Sequence, residues 1–225
     1  MFETKYSKFL TILLIVIIVA IIGLGGYLGY NYYKNYTVEN DADKYVSNFV
    51  EEVTNTGSNG NTTNTDISQG SISSNIAAAE TGSNNSGKVQ TYKGFNVLGT
   101  IEIPKTNIKS PILEGPASNN KIEVAVAVQY PLNTQLNTVG NIVISGHNYR
   151  NGTFFSNNKQ LVNGDKIYIT DLTGSKVEYR VYNTHIITPN DNSIYNKDTD
   201  GKREITLYSC TDDLTGRLIV EARAD

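Results

Sequence analysis

Residues 204–223 read EITLYSCTDDLTGRLIVEAR. Two runs rich in β-branched and aliphatic residues, 204–210 and 217–223, flank a short polar segment, and this arrangement predicts two β-strands joined by a turn. The single cysteine of the chain, Cys210, ends the first strand, and Arg217 opens the second. If the two strands are neighbours, the guanidinium can lie near the thiol, where a cation favours the reactive thiolate.

Further short strands are predicted upstream, starting near Gly94. Strand-like runs occupy 97–103, 108–113, 122–128, 141–145, 166–170 and 176–182. A helical turn is expected within 154–161. Eight short strands in roughly 130 residues with little helix predict a mainly β domain, namely a closed or nearly closed eight-stranded β-barrel with one or two short helices.

The N-terminal segment has a different character. Residues 9–28 read FLTILLIVIIVAIIGLGGYL and carry no charge. About 20 apolar residues cross the hydrocarbon core of a bilayer, whereas a cleaved signal peptide has a shorter apolar run followed by a small-residue cleavage site. We therefore predict a transmembrane helix, with a signal peptide as the alternative. Lys5 and Lys8 precede the run and acidic residues follow it, so the positive-inside rule puts the N-terminus in the cytoplasm.

The composition divides the chain into four parts. We expect a cytoplasmic tail at 1–8, a membrane anchor at 9–30, a juxtamembrane segment at 31–93 and the folded domain at 94–225. The juxtamembrane segment begins with apolar residues at helical spacing: Ala42, Tyr45, Val46, Phe49, Val50 and Val53. This pattern predicts an amphipathic helix that packs on the core or on the bilayer surface. Residues 54–88 are rich in Asn, Ser, Thr and Gly and predict a flexible spacer.

Composition and charge exclude several classes of function. A net charge of −3 and a pI near 5.5 argue against a nucleic-acid partner, which needs a basic face. One cysteine excludes an internal disulfide and a multi-cysteine zinc site. Because His147 and His185 are the two histidines, a metal site would depend on carboxylates, and we expect none. A lone cysteine is then either a small buried hydrophobe or a reactive group.

Three side chains favour the reactive interpretation. Cys210 and His147 both end predicted strands, and Arg217 opens another. A Cys–His pair suits acyl transfer, because the imidazolium supports the thiolate and later protonates the leaving amine. An arginine can stabilise the oxyanion that develops on the attacked carbonyl. Taken singly, each residue also has an ordinary structural explanation, and for His185 we keep that explanation.

The ordered motifs resemble those of the sortases. SGHN around His147, TLYSC ending at Cys210 and the following Arg217 are similar to the GH motif, TLxTC motif and strand-opening arginine of that family. Two more segments are similar to family patterns: GDKIYI at 164–169 and TPND at 188–191. The resemblance covers the whole predicted domain in order.

The resemblance implies a cysteine transpeptidase that cleaves an LPxTG-like sorting motif in secreted proteins. The acyl group passes to an amine of the cell wall, from a peptidoglycan precursor. In this assignment Cys210 is the nucleophile, His147 the general acid/base and Arg217 the group that stabilises oxyanion or substrate. Ser209, which replaces the usual Thr of the family, and Thr206 are expected to contact the substrate. No cofactor is implied; some relatives use calcium, but no residue pattern here selects it.

The resemblance also implies a location and a class. We expect a single-pass protein of the cell membrane with an extracellular catalytic domain. The chain has no proline before Pro104, and so lacks the Asp-Pro-aromatic lid motif of pilin-polymerising sortases. An anchoring or class D/E-like enzyme is expected, with class B as an alternative. Rival functions are a plain cysteine protease, a cysteine L,D-transpeptidase, whose SHGC motif is missing here, and an extracellular adhesion or ligand-binding β domain with an inert cysteine.

Overall fold

The computed structural model describes residues 3–58 and 89–225, which form one long N-terminal helix and a nine-stranded sheet. The long helix, α1, spans Glu3–Ser58, and a four-residue helix, α2, spans Asn119–Ile122. Short 3-10 turns lie at Pro104–Thr106 and Asn158–Gln160. The strands are β1 Thr91–Tyr92, β2 Phe95–Ile103, β3 Ile108–Leu113, β4 Val126–Tyr130, β5 Gly140–Ser145, β6 Lys166–Asp171, β7 Lys176–Ile187, β8 Arg203–Cys210 and β9 Arg217–Ala224.

Strands β2 to β9 close into a barrel. Their order is β2-β3-β4-β5-β8-β9-β7-β6, and β2 pairs back onto β6. The β3–β4 and β5–β8 pairs are parallel, and the other pairs are antiparallel. The two-residue β1 only extends one side of β2. The predicted eight-stranded closed barrel with short helices is therefore confirmed.

The barrel interior is filled by the inward-facing side chains of alternating strand positions. Six of them are Ile101, Ile112, Ile144, Ile167, Ile205 and Leu207, all buried in one cluster. Fully burying one such side chain contributes about 1.5–3 kcal/mol to stability. The core thus fixes the register of β5, β8 and β9, the strands that carry the candidate catalytic residues.

The strand predicted at 122–128 is wrong in its first half. Residues Asn119–Ile122 form α2, and the strand begins only at Val126. The amide of Ala125 donates to the carbonyl of Lys121, so the backbone here is satisfied by local helical bonds rather than by a neighbouring strand. Alternating hydrophobicity fits both arrangements when a segment is this short.

The strand predicted at 176–182 is longer in the structure. Strand β7 continues to Ile187, because β9 pairs with it as far as Arg217. The C-terminal part of β7 therefore forms because it pairs with β9, and the alternation of residues within β7 does not show that pairing.

The N-terminal helix joins the predicted anchor and the predicted amphipathic helix into one element. Its Lys8–Tyr30 stretch is long and apolar enough to cross a membrane, judged by length and composition, and none of it is buried. Farther along α1, one face packs on the barrel, and four of its side chains are buried: Ala42, Val46, Phe49 and Val53. Packing on the core, one of the two expected arrangements, is what the structure shows. Of the predicted spacer, residues 54–58 are helical and 59–88 lie outside the described residues.

Candidate active site

The β8 and β9 strands bring Cys210 and Arg217 together. The two residues are direct partners in the antiparallel ladder, and side chains of opposed residues lie on the same sheet face. The Nε of Arg217 donates to the hydroxyl of Tyr208 at 2.8 Å, and its Nη1 donates to the carbonyl of Gly216 at 3.0 Å. The guanidinium is therefore held over Tyr208, two positions before Cys210 on the same strand face.

Parallel pairing places His147 at the same edge of the barrel. Strands β5 and β8 are parallel neighbours, with Ser145 opposite Tyr208. The amide of Gly146 continues this pairing by donating to the carbonyl of Tyr208 at 3.1 Å. Parallel strands end at the same edge of a sheet. His147, just beyond the end of β5, and Cys210, the last residue of β8, therefore lie at neighbouring strand ends.

The His147 imidazole is partly buried and stacked. Its ring lies 4.6 Å, centroid to centroid, from the ring of Tyr149, at an interplanar angle of 30°. Its backbone carbonyl accepts a hydrogen bond from the amide of Phe155 at 3.0 Å. Burial lowers the pKa of His147 below the usual histidine value, and the negative charge of Glu123 partly opposes that shift. An imidazole can both accept and donate a proton, which suits general acid–base work.

Asn148 joins the two strand ends. Its Nδ2 donates to the carbonyl of Cys210 and to Oδ1 of Asp212, both at 2.9 Å. The other carboxylate oxygen of Asp212 pairs with Nζ of Lys159 at 2.6 Å. Hydrogen bonds from Lys159 and then from Asn148 lower the pKa of Asp212. Sequence reasoning did not assign Asn148 or Lys159 a role, and the one available signal was the position of Asn148 in the SGHN motif.

A cleft of about 430 Å³ opens beside Cys210. It is lined by Asn148, Lys159, Ile186, Cys210, Thr211, Asp212, Asp213, Thr215 and Leu218. Ile186 and Leu218 contribute apolar side chains to the lining, and Asn148, Lys159 and Asp212 contribute polar ones. The nucleophile candidate therefore borders a space large enough for a peptide side chain or an amine.

The model of the Sortase domain family matches residues 101–225, which include Cys210, His147 and Arg217. The chain belongs to the sortase family.

Two curated relatives give the extent of the likeness. The chain is 33% identical over 115 residues to sortase A of Bacillus anthracis, covering 51% of this chain and 52% of that protein. It is 31% identical over 112 residues to sortase D of Bacillus subtilis (strain 168), covering 50% and 53%. The chain therefore spans about half the length of the curated relatives that it matches.

Two solved structures share the fold. Sortase A from Corynebacterium diphtheriae superposes with a TM-score of 0.51 at 29% identity, covering 58% of this chain and 61% of that chain. The pilus-related sortase C of Group B Streptococcus gives a TM-score of 0.52 at 27% identity, covering 61% and 70%. Both likenesses agree with the closed barrel described above.

In this sortase domain Asp213 shapes the β8–β9 turn. Its carboxylate accepts hydrogen bonds from the hydroxyl of Thr211 at 2.5 Å and from the hydroxyl of Thr215 at 2.8 Å. The amide of Thr215 also donates to it, at 3.1 Å. These three hydrogen bonds, side-chain bonds first, lower the pKa of Asp213 to about 2. The turn after Cys210 is therefore stabilised by its own side chains, and the Asp213 carboxylate is used in hydrogen bonds within that turn.

The β7–β8 connection covers the outer face of the sortase barrel next to Tyr208. Ile194 from this connection packs with Val143, Ile187 and Ile219. Farther along, the connection is fixed by an ion network. This network consists of Lys197, Glu204, Glu221, Arg223 and Tyr182. The connection thus forms a wall on the face that carries Cys210 and Arg217.

The ion network surrounds a buried carboxylate. The side chain of Glu204 is fully buried, with Nζ of Lys197 at 2.7 Å and Nη2 of Arg223 at 2.5 Å. Lys197 also pairs with Glu221 at 2.7 Å. A buried carboxylate is tolerated when it is paired and hydrogen-bonded, so Lys197 couples the connection to both β8 and β9.

The two residues expected to contact substrate lie elsewhere. Thr206 is buried, and its hydroxyl donates to Oδ1 of Asn141 at 2.9 Å. Ser209 is also buried, and because strand faces alternate it lies on the barrel side rather than on the face of Cys210. Its hydroxyl has no hydrogen-bond partner among the described residues. Neither side chain lines the cleft, so the geometry does not support direct substrate contact for either.

His185 lies within β7, opposite Ile219, and its Nδ1 is 3.9 Å from a carboxylate oxygen of Glu221. Within residues 3–58 and 89–225, no three His, Cys, Asp or Glu side chains are grouped to hold a metal ion.

Proposed function

We propose that this sortase domain is a cysteine transpeptidase. Its substrate would be an LPxTG-like sorting motif in secreted proteins, and its acceptor an amine of the cell wall from a peptidoglycan precursor. The observation that carries the proposal is the convergence of Cys210, His147 and Arg217 at one edge of the barrel. Such a set supplies a nucleophile, a proton donor and a cation for the oxyanion.

The acylation half-reaction follows from these roles. The Cys210 thiolate attacks the carbonyl carbon of the scissile peptide bond, and the oxyanion that forms is stabilised by Arg217. His147, as imidazolium, gives its proton to the departing nitrogen. The C–N bond breaks, and the acyl group remains on sulfur as a thioester.

The second half-reaction runs the same steps in reverse. An incoming amine attacks the thioester carbonyl, and neutral His147 accepts the proton that the amine loses. The C–S bond breaks, Cys210 leaves as thiolate, and a new amide bond is formed. Water in place of the amine would give hydrolysis, which is the protease alternative.

The N-terminal helix supports a membrane location. We assign 1–8 to a cytoplasmic tail, 9–30 to a single-pass anchor, 31–93 to the juxtamembrane segment and 94–225 to an extracellular catalytic domain. The catalytic residues would then meet secreted proteins and wall precursors at the outer surface of the cell. Within the family, an anchoring or class D/E-like enzyme remains our assignment.

The test is a ligation assay with the full chain in detergent micelles. A fluorescent LPxTG peptide is supplied with and without triglycine, and the ligated product is quantified by chromatography. We expect product that depends on the amine and is lost in Cys210→Ala and His147→Ala, whereas His185→Ala, the matched histidine control, retains it. Ligation that persists in Cys210→Ala would overturn the mechanism. Hydrolysis without ligation would favour a protease, and an unreactive thiol without product would favour a binding domain.

A further inference from the structure

The juxtamembrane part of α1 lies beside the loop that follows His147. Val38 packs against the barrel cluster that contains Phe154. Val38 and Ala42 also line a small cavity together with Thr153 and Phe154. The helix that continues from the membrane span therefore borders the segment that carries the candidate acid/base.

A row of aromatic rings leads from this contact to His147. The Phe154 ring lies 5.9 Å from the Tyr149 ring at 51°, and the Tyr149 ring lies 4.6 Å from the imidazole at 30°. Stacked and tilted geometries at these separations are the favourable ones for aromatic pairs. The three rings therefore form a continuous row from Phe154 through the partly exposed Tyr149 to the imidazole.

The backbone of the loop is held as well. Phe154 is buried and has a φ of 48°, a left-handed conformation that a non-glycine residue adopts when its surroundings impose it. It forms an isolated β-bridge with Asn148, which closes the loop around Tyr149. Helix α1 borders this residue, because Val38 and Ala42 line the same small cavity as Phe154.

We propose that the juxtamembrane part of α1 is a positioning element for His147, and that it acts through Phe154 and Tyr149. This rests on the proposed role of His147 as acid/base. Val38 lies eight residues beyond Tyr30, the end of the apolar stretch, which is about 12 Å along a helix. The membrane anchor is then more than a tether, because its continuation sets the orientation of a reacting group.

The test compares two Val→Ala variants of the same helix in the full chain reconstituted into nanodiscs. Val38→Ala removes packing beside the His147 loop. Val53→Ala, the matched control, removes packing in a different cluster, which contains Phe49 and Tyr92. We expect kcat of ligation to fall about three- to tenfold in Val38→Ala, with KM unchanged. Val53 is buried and Val38 is only partly buried, so Val53→Ala should lose at least as much thermal stability and yet keep the wild-type kcat.

The aromatic row is tested at Tyr149. Tyr149→Ala should lower kcat about as much as Val38→Ala, and Tyr149→Phe, which keeps the ring, should restore it. Equal kcat values for the two valine variants, or a Tyr149→Phe variant as impaired as Tyr149→Ala, would overturn the proposal.

A second readout separates this proposal from the proposed function. Cys210 is the single cysteine, so the rate of its alkylation by iodoacetamide against pH reports on the thiol and its neighbours without any peptide. We expect the pH profile to shift in Val38→Ala and Tyr149→Ala but not in Val53→Ala. If wild type makes no ligated product, the proposed function fails, while an unshifted alkylation profile in both variants overturns the positioning role.

Discussion

The side-chain amide of Asn148 donates a hydrogen bond to the carbonyl oxygen of Cys210 at 2.9 Å. This bond joins the residue after the candidate acid/base to the candidate nucleophile, across two parallel strands. It fixes the spacing of the two strand ends at the point where their ladder stops. The geometry of the site therefore depends on a residue that takes no part in the proposed chemistry.

Replacing Asn148 should lower activity with little effect on folding. In Asn148→Ala we expect kcat/KM for ligation to fall about three- to tenfold, because the variant loses the hydrogen bond to the carbonyl of Cys210 together with the one to Asp212. Asn96→Ala is the matched control, since Asn96 also donates from its side chain, to Glu114 on the surface at 2.9 Å. Steady-state kinetics measures kcat/KM of both variants, and thermal melts measure their stability. Equal activities of the two variants would show that the Asn148 bond is not needed.

Arginine at position 217 should not be replaceable by lysine. The guanidinium donates in two directions, to Tyr208 and to Gly216, and a lysine ammonium lacks that planar fork. We expect kcat/KM to fall about 100-fold in Arg217→Lys, the usual size for loss of an oxyanion-stabilising group. Arg180→Lys, which changes an exposed arginine paired with Glu178, serves as the control. Wild-type activity in Arg217→Lys would remove this residue from the mechanism.

The charge of Glu123 should be visible in the titration of His147. Burial lowers the pKa of His147, and the Glu123 carboxylate raises it by favouring the imidazolium. Glu123→Gln removes that charge, so the lowering of the His147 pKa by burial is no longer partly offset. The pKa of His147 should therefore fall further, and the imidazolium should persist only at lower pH. NMR titration of the two histidine rings measures this, with His185 as the internal reference. A His147 pKa that stays constant or rises would contradict the prediction.

The ion network at Glu204 should be important for stability. In Lys197→Met the buried Glu204 keeps Arg223 but loses its second cation, and we expect the free energy of unfolding to drop by about 3 kcal/mol. Lys166→Met is the control, because Lys166 pairs with Glu178 at the surface, where water screens the two charges, so its loss should be clearly smaller. Urea unfolding followed by circular dichroism measures both. A loss no larger than that of the control would show that Lys197 is dispensable.

Local patterns were sufficient for the barrel and for the position of the thiol. Alternation predicted the strands around Cys210 and Arg217, and the barrel core confirms the register that alternation implies. Where two structures satisfy the same short pattern, as at 122–128, the prediction failed because backbone bonding rather than hydrophobicity decided the outcome.

The supporting contacts of the site could not be predicted in this way. The bond from Asn148 to Cys210 joins positions 62 residues apart, and the Lys159–Asp212 pair joins positions 53 residues apart. Both arise from the meeting of distant loops at one end of the barrel. The same limit applies to Thr206, whose hydroxyl donates to Asn141 of a neighbouring strand, 65 residues away along the chain. Residue type and order indicated the chemistry, while its support needed the tertiary structure.

The most direct test of the central claim is intact-protein mass spectrometry of the chain incubated with an LPxTG peptide in the absence of amine. We predict an added mass equal to the acyl fragment of the peptide, located at Cys210 by proteolytic mapping, absent from Cys210→Ala and released by hydroxylamine. An adduct on another residue, an adduct that persists in Cys210→Ala, or ligated product formed without any thioester would contradict the account.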